Sequence, residues 1–241
     1  MGTMRGAGLT LALLNIALHP KKGAAAGGIF MKNRAKDTRW LAGVAMFAAV
    51  QLLLNITGIG LIPLPLIKAT TLHIPVIIGA VLLGPLGGGI LGGVFGLCSL
   101  WTNTTAPSAL SFAFSPFLAT SLPGALKAVW IALGCRILIG VVAGWLWIAL
   151  KKGKVNDLIA LPVVGVAGAM TNTGLVMGSI YFLLRPEYAA MKNIAMEAVL
   201  DVVLGVVGTS GVAEAAAAAI LVTAVGKALL HVPTLRPAAE H

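Results

Sequence analysis

The chain has 241 residues, of which 59% are hydrophobic and 10% are charged. A water-soluble domain typically carries about 25% charged residues, so this chain lacks the charge to cover a water-facing surface. The composition excludes an ordinary soluble domain and predicts an integral membrane protein.

The formal net charge of +10 does not point to a nucleic-acid partner. Lys and Arg form short clusters between apolar runs, which is the pattern that orients a protein in a membrane. Cys98 and Cys135 both lie inside apolar segments and are not spaced as a metal-binding or redox pair. They are predicted to be small packing residues, and the sequence predicts no metal or cofactor.

Residues 1–30 are predicted to be a disordered extension, or sequence upstream of a natural start at Met31. Their apolar stretch is too short to cross a bilayer. A basic lead-in follows Met31 and precedes the first membrane helix. The predicted membrane domain is 31–232, and residues 233–241 are predicted to form a cytoplasmic tail.

Apolar segments of about 20 residues predict an all-α bundle of six transmembrane helices. The predicted spans are 40–56, 70–84, 86–101, 123–150, 157–184 and 194–230. Gly84 and Pro85 are predicted to form a tight turn between the second and third spans. In the third span Gly88, Gly92 and Gly96 recur every four residues and predict a face for close helix packing.

Loops after the first, third and fifth spans are predicted to face outward. If both termini and the Lys151–Lys154 loop are cytoplasmic, most Lys and Arg residues lie inside, as the positive-inside rule requires. The loop 102–123 places phenylalanines beside Ser and Pro. Loops of this length often act as lids, so it is predicted to cover a solute, with a plain interfacial loop as the alternative.

A single cation, Arg136, lies near the middle of the fourth apolar stretch. A guanidinium at that depth costs at least ~2.5–3.5 kcal/mol unless protein, water or an anion satisfies it. One interpretation is an internal ion pair with Asp201 or Glu197, because buried charges are usually paired. The other is that Arg136 receives the carboxylate of a small solute.

Four further side chains are predicted to lie near Arg136 in the outer half of the bilayer. Trp101 and Asn103 lie at the outer end of the third span. At the helical rise, Asn172 is ~22 Å up the fifth span and Asp201 is ~12 Å below the outer end of the sixth. Polar groups at matched depth beneath a long loop predict a solute pocket that opens outward.

The residue types indicate what such a pocket would bind. Arg136 offers a planar set of donors suited to a carboxylate. Asn172 offers a donor and an acceptor for an amide or hydroxyl, and Trp101 could close over an apolar part of the solute. Asp201 could hold Arg136 in position or accept a hydroxyl. The predicted solute is small and anionic, with polar groups.

Two features have weaker implications. His73, at the predicted membrane boundary, is expected to be a surface or capping residue, with a solute contact as the alternative. Ala45 and Ala49 form a small-xxx-small pair that lets another helix approach closely. That helix could belong to the same chain or to a partner subunit.

The sequence resembles the substrate-binding (S) components of energy-coupling-factor (ECF) vitamin transporters over residues 40 to 230. The resemblance rests on six short helices, the alanine pair and the long outer loops. It also rests on the segments 72–80, 114–117, 136–140 and 171–174. Among S components, these segments are most similar to the pantothenate type.

The resemblance implies a multi-pass protein of the cell membrane that captures a vitamin outside the cell and is not an enzyme. It also implies docking, through Ala45 and Ala49, onto an ECF module of one membrane scaffold subunit and two ATPases. By the family's pattern, Arg136 and Asn172 are ligands and Trp101 is an aromatic wall. Pantothenate, with its carboxylate, amide and two hydroxyls, fits best; folate, riboflavin and other vitamins are alternatives.

Two other functions remain as alternatives. Residues 208–211 match the GxSG motif of rhomboid intramembrane proteases, but His231 lies ~30 Å from Ser210 along the same helix, too far for a dyad. An ion-coupled secondary transporter would use Asp201 or Glu197 as its proton site. The lack of a visible inverted repeat makes that reading less favourable.

Overall fold

The computed structural model describes residues 38–58, 61–63, 68–108, 110–119 and 121–232. The predictions for residues 1–30, for a start at Met31 and for the tail 233–241 lie outside the described residues.

The described part is almost entirely helical. Its α-helices are α1 (Thr38–Thr57), α2 (His73–Thr105), α3 (Leu122–Val129), α4 (Cys135–Lys152), α5 (Asp157–Leu183), α6 (Arg185–Lys192), α7 (Val199–Val206) and α8 (Val212–Leu230). One π-helical turn, Trp130–Gly134, joins α3 to α4, and another, Val207–Gly211, joins α7 to α8. Two 3₁₀ turns, Ser111–Ala113 and Pro116–Leu118, lie between α2 and α3.

Five helical segments of the described part are long and apolar enough to cross a membrane. They are Thr38–Thr57, His73–Thr105, Leu122–Lys152, Asp157–Leu183 and Val199–Leu230. The first, fourth, fifth and sixth predicted spans each correspond to one of them. The second and third predicted spans both lie within His73–Thr105, the segment that contains the predicted turn.

The chain reverses within α2 at Gly84. Gly84 has φ of 79°, a left-handed conformation that glycine adopts without strain, and Pro85 then starts a second helical arm. A Cβ placed on Gly88 would lie 2.5 Å from the Ala80 Cβ, so the two arms pack side by side. The predicted turn is confirmed.

The first arm of α2, from His73 to Leu83, is buried at every position. Its eleven residues give a length of ~16 Å. Because the hydrocarbon core is ~30 Å thick, an arm of this length is too short to cross it. His73 is buried, with 1% of its surface exposed, so the expectation of a surface residue is wrong.

The second arm of α2 packs against α4 through glycine, as the spacing of Gly88, Gly92 and Gly96 predicts. Cβ atoms on Gly92 and Gly140 would overlap the backbone of Arg136 and Gly88, respectively. A Cβ on Gly96 would lie 2.6 Å from the Ala132 carbonyl oxygen. The backbones of the two helices are therefore in direct contact, and this prediction is confirmed.

Contacts between elements identify two ends of the bundle. At one end, the Trp40 end, Trp40 Nε1 donates to the Leu83 carbonyl (3.1 Å). At the other, the Thr102 end, Thr102 Oγ1 donates to Asn55 Oδ1 (3.0 Å). Lys127 Nζ donates to the carbonyl of Leu183 (2.7 Å), which places the end of α5 at the Thr102 end.

Two segments predicted as loops contain regular structure. Between α1 and α2, strands β1 (Leu61–Pro63) and β2 (Lys68–Thr70) pair antiparallel. After α5, the polar stretch predicted as a loop at 185–193 forms α6 instead. Glu187 in its first turn and Lys192 in its last complement the helix dipole, and Asn193 ends it in the left-handed conformation.

Candidate solute-binding site

Arg136 is buried inside the bundle, with 6% of its surface exposed. Nη1 donates a 2.5 Å hydrogen bond to the Ile131 carbonyl. The guanidinium carbon lies 5.3 Å from the centre of the Phe95 ring and 4.9 Å from that of Phe114. Nε has no hydrogen-bond partner in the part of the chain that the structure describes. The guanidinium is thus held between two rings with one donor unused.

The π-helical turn before α4 positions the acceptor for Arg136. Within Trp130–Gly134 the backbone winds more widely, and the amide of Cys135 donates to the carbonyl of Trp130, five residues earlier. Ile131 belongs to this turn, and its carbonyl accepts from the guanidinium. Single π-helical turns are frequent at functional sites because they redirect the backbone groups around them.

The ion pair proposed for Arg136 does not form with either predicted acid. The side chains of Asp201 and Glu197 are exposed, and neither pairs with Arg136 among the described residues. A third acid of the same predicted span, Glu214, is on α8. Glu214 Oε2 accepts a 3.1 Å hydrogen bond from Thr173 Oγ1. The prediction of a pair with Asp201 or Glu197 is wrong.

His73, Arg136 and Asn172 form what we call the polar layer. Ala80 in the first arm of α2 packs against Gly88 in the second arm. His73 lies seven residues before Ala80, and Phe95 lies seven residues after Gly88. Each is therefore ~10 Å from this contact along its own arm, and the two arms are antiparallel. His73 is therefore level with Phe95, the ring beside the Arg136 guanidinium.

Asn172 reaches the same depth from α5. Ile77 of α2 contacts Gly168 of α5. His73 lies four residues before Ile77, and Asn172 lies four residues after Gly168, so both are displaced from this contact in the same direction along the bundle. Asn172 is 7% exposed, and its Oδ1 has no hydrogen-bond partner among the described residues. Three helical segments thus bring a cation, an amide and an imidazole to one level of the bundle.

The segment between α2 and α3 covers the polar layer. Phe114 lies over the guanidinium, and the neighbouring Ser115 shares a 2.7 Å hydrogen bond with Thr104. Ser111 Oγ donates to Asn103 Oδ1 at 2.7 Å. These bonds fasten the segment to the end of α2, and we call residues 110–119 the cover.

Asn103, at the end of α2, bonds to the cover and does not lie in the polar layer. Its Oδ1 accepts from Ser111, and its Nδ2 donates to the Ser99 carbonyl at 2.8 Å. Both ends of the amide are therefore used within the protein. Asn103 acts as a positioning residue for the cover.

Trp101 and Asp201 are not brought to the polar layer. Trp101 is 67% exposed, because it lies on the opposite side of α2 from the buried Ser99 two residues earlier. Asp201 is exposed for the same reason: it lies between Val199 and Val203, which face the core. Reading depth from the sequence was insufficient here, because helical phase decides which face a residue occupies.

Sequence reasoning missed Phe95 and Glu214 and treated Phe114 only as part of a loop. Phe95 lies four residues before Ser99 on the buried face of α2. This four-residue spacing was the available signal for Phe95. An acid within an apolar helix was the corresponding signal for Glu214, since intramembrane carboxylates usually face the protein interior.

The residues required by the protease alternative are not assembled. Ser210 is buried, whereas His231 is at the C-terminal end of α8, where its Nδ1 lies 2.7 Å from the Lys227 carbonyl. No protease dyad forms between them. No group of three His, Cys, Asp or Glu residues able to hold a metal comes together in the described ranges.

Ala45 and Ala49 lie on an exposed face of α1. The buried stripe of α1 consists of Trp40, Gly43, Phe47 and Gln51, which packs against α2. The alanine face points away from this stripe. It therefore leaves room for lipid or another helix to approach α1 closely.

The sequence matches a known family over most of its length. The family model described as "ECF transporter, substrate-specific component" matches residues 39–226. The chain belongs to this family of multi-pass membrane transport proteins.

Two characterised relatives indicate a particular branch of the family. The pantothenic acid transporter PanT of Lactococcus lactis subsp. cremoris (strain MG1363) is 34% identical over 203 residues, covering 82% of this chain and 95% of the relative. The pantothenate transporter PanT of Leuconostoc mesenteroides subsp. mesenteroides is 27% identical over 205 residues, covering 80% and 93%. The chain is thus similar to pantothenate transporters over nearly their whole length.

Proposed function

We propose that this protein captures pantothenate at the outer face of the cell membrane and delivers it to an ATP-driven ECF module. The observation that carries the proposal is the polar layer. Arg136 and Asn172 each have a buried polar atom without a partner among the described residues. Because buried polar atoms are nearly always satisfied, these two atoms suit a bound solute.

The chemistry of pantothenate fits these groups. Arg136 Nε and its neighbouring amino group present parallel donors that suit a carboxylate. Asn172 Oδ1 can accept a hydrogen bond from a hydroxyl or amide N–H of the solute. Phe95 and Phe114 flank the guanidinium and exclude water from the contact. Exclusion of water strengthens a charge-assisted hydrogen bond.

The proposed topology has six passes, with both termini in the cytoplasm. The reversal at Gly84 divides His73–Thr105 into two passes, the first of which is short and internal. The Trp40 end then faces the cytoplasm and carries Lys151 and Lys152. The Thr102 end faces outward with the cover, so the polar layer opens toward the source of the vitamin. Residues 1–30 and 233–241 are proposed to be an extension and a tail outside this bundle.

The proposed docking surface for the ECF module is the exposed face of α1. Ala45 and Ala49 have small side chains that allow a partner helix to approach its backbone closely. From Leu41 to Ile56 the exposed residues of α1 are all apolar, which suits a contact made within the membrane. The partner would be the membrane scaffold subunit, with two ATPases supplying the energy.

Binding and transport assays on the full chain test this proposal. We expect calorimetry on the purified protein to show binding of pantothenate in preference to riboflavin and folate. In cells, uptake of labelled pantothenate is expected to require a co-expressed ECF module and to survive a protonophore. Preferential binding of another vitamin would refute the choice of solute. Uptake by this chain alone that collapses with the proton gradient would refute the transport mechanism.

A further inference from the structure

Gln51 is a buried polar residue that the site described above does not include. It is on α1, has 0% of its surface exposed, and belongs to the stripe that faces α2. Neither Nε2 nor Oε1 has a hydrogen-bond partner among the residues that the structure describes. A neutral side chain with two unused polar atoms inside an apolar bundle contributes nothing to folding that an apolar residue would not contribute better.

Gln51 lies at the depth of the polar layer. One turn below it, Phe47 packs at Gly79 beside Leu91. One turn above it, Asn55 bonds to Thr102. Interpolation between these two contacts places Gln51 beside the part of α2 that carries Phe95.

The short first arm of α2 gives Gln51 access to the same interior. That arm begins at His73, so beyond His73 toward the Thr102 end it no longer separates α1 from the rest of the bundle. A solute resting on the polar layer would occupy the interior beyond His73. From its level on α1, Gln51 would border that region.

We propose that Gln51 is a specificity-determining ligand for the uncharged polar part of the solute, its amide and hydroxyl groups. This inference rests on the proposed function. Arg136 supplies the positive charge for the carboxylate, and Gln51 approaches from a different helix with one acceptor and two donors. An amide and hydroxyls need that mixture of donor and acceptor, whereas a carboxylate needs donors only.

The test compares two probes that differ only in the charged group. Pantothenol carries an alcohol where pantothenate carries its carboxylate. By calorimetry on the full chain, Gln51→Met is expected to weaken both probes by the same factor, about tenfold or more, because neutral hydrogen bonds are lost from each. Arg136→Ala is expected instead to weaken mainly pantothenate and to reduce the difference between the probes.

The stability of the same variants separates a ligand role from a structural one. Gln51→Met keeps the size of the side chain and removes two unpartnered polar atoms, so its unfolding temperature should equal or exceed that of the parent. Gln51→Glu provides a second variant, since it lacks donors and adds a charge of the same sign as pantothenate. It should weaken pantothenate more than pantothenol. Val50→Met, at an exposed neighbouring position, is the control and should bind both probes as the parent does.

The outcomes distinguish this inference from the proposed function. Equal binding by Gln51→Met and the parent would overturn the role of Gln51 and leave the proposed function intact. Selective weakening of pantothenate by Gln51→Met would also overturn it, because the residue would then act on the carboxylate. A parent chain that binds neither probe would remove both proposals.

Discussion

At the scale of single residues, Arg136 carries the strongest chemical argument. Its guanidinium is buried between two aromatic rings, donates one hydrogen bond to a carbonyl and retains an unused donor. Burying an ion in this way is unfavourable unless the remaining donors find an acceptor. A bound carboxylate would supply such an acceptor.

Replacement of Arg136 should therefore reduce affinity in two steps. Arg136→Lys keeps the charge but loses the planar fork, and should bind pantothenate more weakly than the parent. Arg136→Ala removes both and should weaken binding about tenfold to a hundredfold, the usual range for a charge-assisted hydrogen bond. Calorimetry gives the affinities, and thermal unfolding of each variant is the control. Unchanged affinity in Arg136→Ala would refute the carboxylate contact.

Glycine at position 140 permits the close approach of α2 and α4. A Cβ on Gly140 would overlap the backbone of Gly88, which cannot move aside as a side chain can. Gly140→Ala should therefore lower the free energy of unfolding by about 1–3 kcal/mol, the usual cost of overpacking. Gly178 is the matched control, since a Cβ there meets nothing within 4 Å. Thermal unfolding of Gly178→Ala should equal or exceed that of the parent, because alanine favours helix.

At the scale of elements, hydropathy and the positions of Gly and Pro predicted most of the helices. Apolar length located the membrane helices, and Gly84 with Pro85 located the reversal within α2. What the sequence did not reveal was the depth of His73. The residues around His73 are equally compatible with a helix that starts at the membrane boundary. Only the packing of Ala80 on Gly88 shows that the arm is short and internal.

The candidate site was predictable in part, for a similar reason. Arg136 was predicted because a charge within an apolar helix is unfavourable without a partner. Asn172 was predicted from its depth in the fifth span and from the family resemblance. Asp201 was grouped with them by depth, and Trp101 by depth and by the family resemblance, yet both lie on the outer faces of their helices. The π-helical turn at Trp130–Gly134 also shifts the phase of the following helix, and no residue pattern signals it.

The cover should control the rate at which the solute leaves. Phe114 lies over the guanidinium, whereas Phe117, in the same segment, is 75% exposed. Phe114→Ala should raise the dissociation rate constant of pantothenate about tenfold, since it removes a ring that shields the contact. A chase experiment with labelled pantothenate measures this rate. Phe117→Ala is the control and should dissociate at the parental rate; equal rates in all three proteins would contradict the role of Phe114.

The exposed face of α1 should matter for transport and not for binding. Ala45→Trp or Ala49→Trp places a large ring where the partner helix is proposed to approach. Pantothenate binding to the purified variant should be unchanged, while uptake with a co-expressed ECF module should be lost. Leu204→Trp, at an exposed apolar position of α7, is the matched control and should transport normally. Normal uptake by both alanine variants would place the docking surface elsewhere.

At the scale of the whole molecule, the two ends of the bundle should face opposite sides of the membrane. Ser108→Cys lies beside the cover, and Lys152→Cys lies at the Trp40 end; both positions are exposed. In intact cells, a membrane-impermeant maleimide should label Ser108→Cys and leave Lys152→Cys unlabelled until the cells are opened. The parent chain is the control, because Cys98 and Cys135 are both buried. The reverse labelling pattern would contradict the proposed orientation.

The position of α1 in the bundle connects the proposed binding site with the proposed docking surface. This helix packs on α2 through a single stripe that ends in Gln51, and its opposite side carries Ala45 and Ala49. If the solute bonds to Gln51, it would strengthen the attachment of the helix on which the ECF module is proposed to dock. Thermodynamic reciprocity then requires that docking of the module change the affinity for the solute by the same factor. A single helix that contacts the solute on one side and the module on the other would allow the module to distinguish the loaded protein from the empty one.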